Sequence, residues 1–345
     1  MLSRMRWPGS ASVFDVCPDF SKADLPWVKW ASMVDEFTYD RALPYFALVV
    51  PTVDTVRFSY IFEAQLERLY PVFFTGLTGT GKTVIVQDYL NRASASDYEG
   101  GVQVSPIVLN FSARTPSKGS QLTIEEKMER KKKDLLGPPA NKLAVVFVDD
   151  VNMPAVEEYG AQPPIELLRQ LVDFRGFYDR EKLYWKNIDD TVTVAAAAPP
   201  GGGRAEVTPR FSRHFHVLCV PPASPDVLKH IFGSILQGFL EPFNEDVRST
   251  SGRVVQATIE VYDKIRLVMR PTPSKSHYTF NLRDVSKVFQ GVLMIDKKAC
   301  PSGDVMARLW AHECSRVFHD RLVSVEDKQW FCDAVMELVK RVLGK

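Results

Sequence analysis

The hydrophobic pattern of the first two thirds of the chain alternates between short apolar runs and amphipathic stretches. Five apolar runs have the length of buried strands, and stretches with helical periodicity lie between most of them. The runs are residues 71–76, 105–112, 143–150, 191–198 and 215–220. The helical stretches are residues 82–93, 124–136 and 163–174. This alternation predicts an α/β fold with a mostly parallel five-stranded sheet flanked by helices.

A different pattern follows Pro222, where five successive segments have the apolar spacing of amphipathic helices. The proline-rich stretch "VPPASP" marks the change. Before the first strand, residues 52–69 also show helical spacing, whereas residues 1–48 combine aromatic residues and proline without a clean period. We therefore predict a linker-like segment of short helices and turns at 1–48, an α/β domain at 49–222 and an all-helical domain at 223–345.

Composition narrows the class of protein. The 345 residues include 45% hydrophobic ones, enough for a substantial core, and the formal net charge of +1 argues against a nucleic-acid-binding protein. No apolar run approaches the roughly 20 residues of a membrane-spanning helix. The five cysteines are scattered and form no CxxC, which indicates unpaired thiols in a reducing compartment.

The sequence "GLTGTGKT" lies between the first predicted strand and the following helix and matches the phosphate-loop pattern G-x-x-x-x-G-K-[ST]. Glycines let the backbone bend so that successive N–H groups point at an anion, and the helix that begins there adds its positive dipole end. We expect the lysine to reach the β and γ phosphates and the threonine to ligate Mg²⁺. We expect ATP rather than GTP, although the loop itself does not decide between them. The predicted contacts are Gly76, Leu77, Thr78, Gly79, Thr80, Gly81, Lys82 and Thr83.

The apolar run "VVFVDD" ends in two aspartates, at the edge of the sheet where ligands of open α/β folds bind. Asp149 is predicted to orient the Mg²⁺ ion. Asp150 stands where a water-activating carboxylate belongs, but it is one methylene, roughly 1.5 Å, shorter than glutamate. A misplacement of about 1 Å can slow a reaction ~100-fold, so hydrolysis is predicted to be slow unless the backbone compensates.

These motifs and the helical second domain resemble the AAA+ ATPases, and more closely the dynein heavy chains. The resemblance covers about residues 28–345 and is carried by long strings, including "VVFVDDVNMPAVEEYGAQPPIELLRQ" and "SKSHYTFNLRDVSKVFQGVL". The best match is the third AAA+ module of the motor ring in the axonemal branch. The resemblance implies a P-loop AAA+ large subdomain followed by a helical lid, with ATP and Mg²⁺ as cofactors.

The resemblance also assigns roles to residues outside the phosphate loop. Carried over position by position, these are Val50, Pro51 and Thr52 as the adenine-side loop, Asp149 and Asp150 as the Walker B pair, Arg283 as a lid sensor, and Arg210 as an arginine finger with Arg213 as second candidate. An arginine finger acts on the nucleotide of the neighbouring module. A further arginine, Arg204, ends the glycine-rich stretch "PPGGGR", which is predicted to be a flexible loop near a neighbouring subunit. A candidate phosphate-facing cationic set, spread over two modules, consists of Lys82, Arg204, Arg210 and Arg283.

Two departures from the AAA+ pattern favour binding over fast turnover. Ala198 stands at the end of the fourth strand, where the family usually has a polar sensor, and Asp150 replaces the usual glutamate. A third departure is extent, because a dynein heavy chain has six modules and a coiled-coil stalk, whereas this sequence shows one module and no long heptad run. The chain is therefore expected to be either a fragment of a longer product or a free-standing remnant.

Two functions remain open at this stage. The first is an ATP-binding, slowly hydrolysing regulatory module of an axonemal dynein, whose partners are other AAA+ modules. Intermediate chains, light chains and microtubules would be reached only through the full heavy chain, in the cytoplasm, the cytoskeleton and the axoneme of a cilium or flagellum; neither nucleic acid nor membrane is an expected partner. The second is a structural fragment that docks through its aromatic N-terminal segment and its lid, with nucleotide binding incidental.

Overall fold

The computed structural model describes residues 7, 9, 11–20, 22–95, 98, 101–201 and 203–344. The chain divides into two compact units, one formed by Asp54–Pro222 and the other by Met1–Val53 together with Ala223–Lys345. Among the residues described, no helix is both long and apolar enough to cross a membrane. All five cysteines are free thiols.

The secondary structure follows the predicted alternation closely. The strands are β1 (Val16–Pro18), β2 (Trp27–Lys29), β3 (Val72–Thr75), β4 (Gln103–Asn110), β5 (Glu129–Lys132), β6 (Leu135–Gly137), β7 (Lys142–Asp149), β8 (Gly176–Tyr178), β9 (Trp185–Ile188), β10 (Thr191–Ala197) and β11 (His216–Cys219). The α-helices are α1 (Val53–Leu66), α2 (Lys82–Ser94), α3 (Ser117–Glu126), α4 (Pro163–Phe174), α5 (Pro209–Ser212), α6 (Pro225–Leu240), α7 (Glu245–Arg248), α8 (Ser251–Val268), α9 (Leu282–Val292), α10 (Gly303–Val317) and α11 (Val325–Leu338). Short 3₁₀ turns and a final π-helical turn at Val339–Leu343 complete the description.

The central sheet has five parallel strands in the order β4–β7–β10–β3–β11, so the predicted fold class is confirmed. The apolar run of strand β7 does not alternate with polar residues, because both of its faces are buried. Val146 and Val148 join one buried cluster with α3 and α4, whereas Val145 and Phe147 join the cluster on the opposite face with α1 and α2. Because helices cover both faces, every inward and outward position must be apolar.

The prediction of a charged helix over residues 124–136 is wrong after residue 126. Helix α3 ends at Glu126, and the following residues form β5 and β6, which join β9 and β8 in a second sheet of order β5–β6–β9–β8. Strand β6 pairs in parallel with β9, which lies about 50 residues further along the chain. This non-local pairing overrides the local helical spacing of the charges, and every residue of β5 is exposed.

The helical unit is organised around one apolar core to which α6, α8, α9, α10 and α11 all contribute. The N-terminal segment packs against this core through Tyr45, and it contains a short antiparallel pair, β1–β2, that was not foreseen. Tyr39 contacts Phe239 edge to face, and the Tyr45 hydroxyl lies 3.2 Å from that of Ser286. Burial raises the pKa of Tyr45 to about 12, against the opposing effect of its hydrogen bond to Ser286.

Gly238 marks the closest approach of the N-terminal segment to α6. A Cβ atom there would lie 2.2 Å from Cβ of Tyr39. We expect Gly238→Ala to lower the free energy of unfolding of this unit by about 1–3 kcal/mol, because the added methyl group overpacks the contact. Urea denaturation followed by tryptophan fluorescence measures this effect.

Gly233 provides the matched control in the same helix, since a Cβ there would meet nothing within 4 Å. Gly233→Ala should be neutral or stabilise by about 0.5–1 kcal/mol, because alanine restricts the unfolded chain more than glycine does. Equal effects of the two substitutions would contradict the packing of Tyr39 on α6.

Candidate functional site

The phosphate loop connects the end of β3 to the start of α2, where the sequence placed it. Gly79 and Gly81 have φ values of 86° and 90°, a backbone region that L side chains rarely adopt. Gly76 is constrained differently, because a Cβ there would lie 2.4 Å from the carbonyl oxygen of Val220, just beyond β11. The glycines are therefore required both by the bends of the loop and by the close approach of a neighbouring backbone.

Lys82 is buried at the first position of α2, with 8% of its surface exposed. Its Nζ donates hydrogen bonds to the carbonyl oxygens of Gly76 and Leu77, each at 2.8 Å. The hydroxyl of Thr80 donates to the same Leu77 carbonyl at 3.0 Å. The loop thus curls around its own ammonium group, which places a fixed positive charge at the N-terminus of a helix and suits an anionic ligand.

Thr83 and Asp149 meet although 66 residues separate them in the sequence. The Thr83 hydroxyl donates to Oδ2 of Asp149 at 2.7 Å, and Oδ1 of Asp149 accepts the backbone N–H of Asp150 at 2.9 Å. Strands β3 and β7 lie on either side of β10, so their carboxyl ends reach the same edge of the sheet. Hydroxyl and carboxylate oxygens are hard ligands of the kind that Mg²⁺ prefers, so this pair fits the predicted metal position.

Asp150 adopts a left-handed backbone conformation with φ of 50°. Aspartate is among the residues that tolerate this region, which nevertheless costs of order 1 kcal/mol. A turn follows at once, since the N–H of Met153 donates to the Asp150 carbonyl at 2.9 Å. The Asp150 side chain is 41% exposed, and its Oδ1 lies 3.7 Å from a terminal guanidinium nitrogen of Arg204. The predicted water-activating carboxylate is therefore paired with a cation of its own unit.

Asn152 lies next to the candidate site, and sequence reasoning did not single it out. It is 1% exposed, and its Nδ2 donates to the Ala198 carbonyl at 2.8 Å and to the Ala205 carbonyl at 3.2 Å. The N–H of Ala205 in turn donates to the Asn152 carbonyl at 3.0 Å. Asn152 therefore joins the two ends of the glycine-rich stretch 199–204 to the segment after β7. Its position two residues after the aspartate pair was the available signal.

The two arginine-finger candidates differ in their surroundings. Arg213 lies 3.8 Å from Asp173, a carboxylate that also pairs with Arg169 at 3.2 Å and lies 3.8 Å from His214. Arg210 is exposed on the short helix α5, and in the described part of the chain its guanidinium forms no ion pair. Both candidates are therefore exposed, and they differ in that Arg213 lies near a carboxylate of its own unit.

The remaining predicted residues belong to the other unit. Arg283 lies exposed in the first turn of α9, where its N–H donates to Oδ1 of the cap residue Asn281 at 2.9 Å. Val50 and Thr52 are buried and Pro51 is half-buried, just before α1 begins.

Comparison with known proteins identifies two matching family models. Residues 37–223 match the family described as the P-loop containing dynein motor region, and residues 232–328 match the ATPase lid domain of dynein heavy chains. The chain is 48% identical over 339 residues to human dynein axonemal heavy chain 6, covering 98% of this chain and 8% of that relative. It is 44% identical to human dynein axonemal heavy chain 1, covering 88% of this chain and 7% of the relative. Rat dynein axonemal heavy chain 12 is 40% identical, covering 91% of this chain and 10% of the relative.

The chain therefore spans a tenth or less of the length of these relatives. Its parallel five-stranded P-loop domain and its helical domain are those of an AAA+ module with its lid. The family match covers more than half of the chain and includes both the phosphate loop and the aspartate pair. The chain belongs to the dynein motor region family of P-loop AAA+ proteins.

Proposed function

We propose that this chain is an ATP-binding module of an axonemal dynein motor ring, corresponding to the third module, and that it hydrolyses ATP slowly. The observation that carries the proposal is the 2.7 Å hydrogen bond between Thr83 and Asp149 beside the buried ammonium of Lys82. This hydrogen bond brings the phosphate loop together with Asp149, the carboxylate at the end of β7 that would hold Mg²⁺.

Each residue has a distinct part in the proposed chemistry. The N–H groups of Gly76–Thr83 bind the phosphates, Lys82 neutralises them, and Thr83 with Asp149 would hold Mg²⁺. When bound, Mg²⁺ polarises the phosphate oxygens and stabilises the charge that develops during phosphoryl transfer. Asp150 would orient the attacking water and accept its proton.

Two features support slow rather than fast turnover. Asp150 carries a short carboxylate on a left-handed backbone, and that carboxylate is already paired with Arg204. Ala198, the residue after β10, has no polar side chain, and its carbonyl accepts a hydrogen bond from Asn152. Neither position has the side chain that is usual in this family, a glutamate at the first and a polar sensor at the second.

The proposal extends to the ring that the relatives suggest. Arg210 would act as a finger on the nucleotide of a neighbouring AAA+ module, and Arg283 would sense the phosphates from the lid, while Val50, Pro51 and Thr52 would contact adenine. The nucleotide state would then regulate the main motor site of a heavy chain in a ciliary or flagellar axoneme. Microtubules and the intermediate and light chains would be partners of the full heavy chain only.

A structural role is the second candidate, and exposed aromatic side chains in the N-terminal segment favour it. Phe14, Phe20 and Phe46 are 73%, 68% and 68% exposed. Their apolar surface suits contacts with other chains. Strong binding of an apolar dye that Phe46→Ser reduces would support this candidate, whereas weak dye binding would count against it.

The substitution Asp150→Glu tests the proposed catalytic limit. We expect the single-turnover hydrolysis rate to rise by up to about 100-fold, because the longer side chain reaches the attacking water. Binding of Mg²⁺·ATP, measured by titration calorimetry, should change little. Asp150→Asn is the matched control and should abolish the residual rate. Failure of the wild-type chain to bind Mg²⁺·ATP would overturn the proposed function.

A further inference from the structure

Arg204 is the charged residue beside the proposed site whose contacts the sequence did not anticipate. Its guanidinium approaches Oδ1 of Asp150 at 3.7 Å, and its side chain is 23% exposed. Its Nε is buried and forms no hydrogen bond to another described residue. The guanidinium is therefore enclosed at Nε, while one of its terminal nitrogens faces the Asp150 carboxylate.

The backbone around Arg204 is held by hydrogen bonds at several points. Gly201 and Arg204 exchange two backbone hydrogen bonds, both 3.1 Å long, which close a tight turn. Gly203 has φ of 86° within that turn, a conformation that favours glycine. Asn152 then holds Ala198 and Ala205, the residues that flank the stretch. These bonds fix the point from which the Arg204 side chain extends towards Asp150.

A chain of contacts links Arg204 to the metal position. Arg204 pairs with Asp150, the N–H of Asp150 donates to Asp149, and Asp149 accepts the Thr83 hydroxyl. The cation therefore stands next to the carboxylate proposed to act on the attacking water. A carboxylate oxygen that faces a cation is less free to orient a water.

From this arrangement we infer that Arg204 is a positioning residue that restrains hydrolysis by holding the Asp150 carboxylate. The inference rests on the proposed function, because it concerns the role that Asp150 would have there. Slow turnover would then result from the contact between Arg204 and Asp150 as well as from the short side chain of Asp150. Because Arg204 ends the glycine-rich stretch, the position of this stretch would determine whether the Asp150 carboxylate is free to act on the attacking water.

Two substitutions of Arg204 test this role. Arg204→Gln removes the charge, and we expect it to raise the single-turnover rate of ATP hydrolysis about two- to fivefold, the range expected for loss of a partly exposed ion pair. Arg204→Lys keeps the charge and should retain the wild-type rate. The dissociation constant of Mg²⁺·ATP, measured by calorimetry, should stay within about twofold in both variants. Arg130→Gln, an exposed arginine on β5, is the control and should leave the rate unchanged.

A double substitution separates this role from a structural one. In an Asp150→Asn background, Arg204→Gln should not restore or raise hydrolysis, because the carboxylate that it would release is gone. A merely structural role would change melting temperature and nucleotide affinity instead of the rate alone.

The possible failures are distinguishable. Normal binding of Mg²⁺·ATP with an unchanged or lower rate in Arg204→Gln would overturn the inference and leave the proposed function standing. A rate increase that persists in the Asp150→Asn background would overturn it as well. Absence of Mg²⁺·ATP binding by the wild-type chain would overturn the proposed function, and the inference with it.

Discussion

Replacement of Lys82 by alanine is expected to weaken the binding of Mg²⁺·ATP by about 100-fold. The ammonium is buried at the N-terminus of α2 and fixed by two carbonyls of the loop, so it is oriented before any ligand arrives. Removing one member of a buried charge pair costs about 2–5 kcal/mol, which corresponds to a factor of roughly 30 or more in affinity. Titration calorimetry with Mg²⁺ and a slowly hydrolysed ATP analogue measures the change.

The control for Lys82→Ala must distinguish two causes of weaker binding, the loss of the positive charge and a change in the conformation of the loop. Thr80→Ala removes the side-chain hydrogen bond to the Leu77 carbonyl but keeps every loop N–H group and the lysine. We expect it to weaken binding by less than about tenfold. A melting temperature close to wild type in both variants would show that the fold is intact. Equal affinities for wild type and Lys82→Ala would rule out the loop as the phosphate site.

The substitution Trp310→Ala is expected to lower the free energy of unfolding of the helical unit by about 3–5 kcal/mol. Trp310 is fully buried in the core of that unit, and its Nε1 donates to the hydroxyl of Thr258 at 2.8 Å. Thr258 itself donates to the Val254 carbonyl at 2.7 Å, so that hydroxyl keeps one partner when the indole is removed. The cost therefore comes mainly from the cavity left by the indole ring.

Chemical denaturation of three variants apportions this effect. Trp310→Phe keeps one aromatic ring but loses the N–H donor, and we expect a cost of roughly 1–2 kcal/mol. Trp330→Ala, at a partly buried position on α11, should cost less than Trp310→Ala because its ring borders the core without filling it. A loss at Trp330 as large as that at Trp310 would contradict the assigned packing.

The parts of the site that depend on neighbouring residues were predictable. The glycines, Lys82 and Thr83 occupy one continuous stretch, and the chemistry of phosphate binding requires these residue types in that order. The five strands of the main sheet were also predictable, because burial on both faces demands uninterrupted apolar runs. Residues 82–93 and 163–174 became α2 and α4 with boundaries within one residue of those predicted.

Contacts between distant segments were not predictable in the same way. Nothing in the local sequence indicates that Asn152 joins the ends of the stretch 199–204 or that Arg204 pairs with Asp150. The second sheet escaped prediction for a related reason, since β6 is a strand because it pairs with β9. Short, charged segments carry too little periodicity to specify such a partner.

The sequence by itself determined the α/β class, the phosphate loop and the two aspartates, because each follows from residue types at fixed local spacing. Only the tertiary structure decided what the second aspartate does. Its left-handed backbone and its pairing with Arg204 arise where the end of β7 meets the end of β10 and the glycine-rich stretch, which come about 50 residues later in the chain. The residue types that bind phosphate can be recognised from a short stretch of sequence. Which cation pairs with the Asp150 carboxylate depends instead on the distant groups that the fold brings close to it.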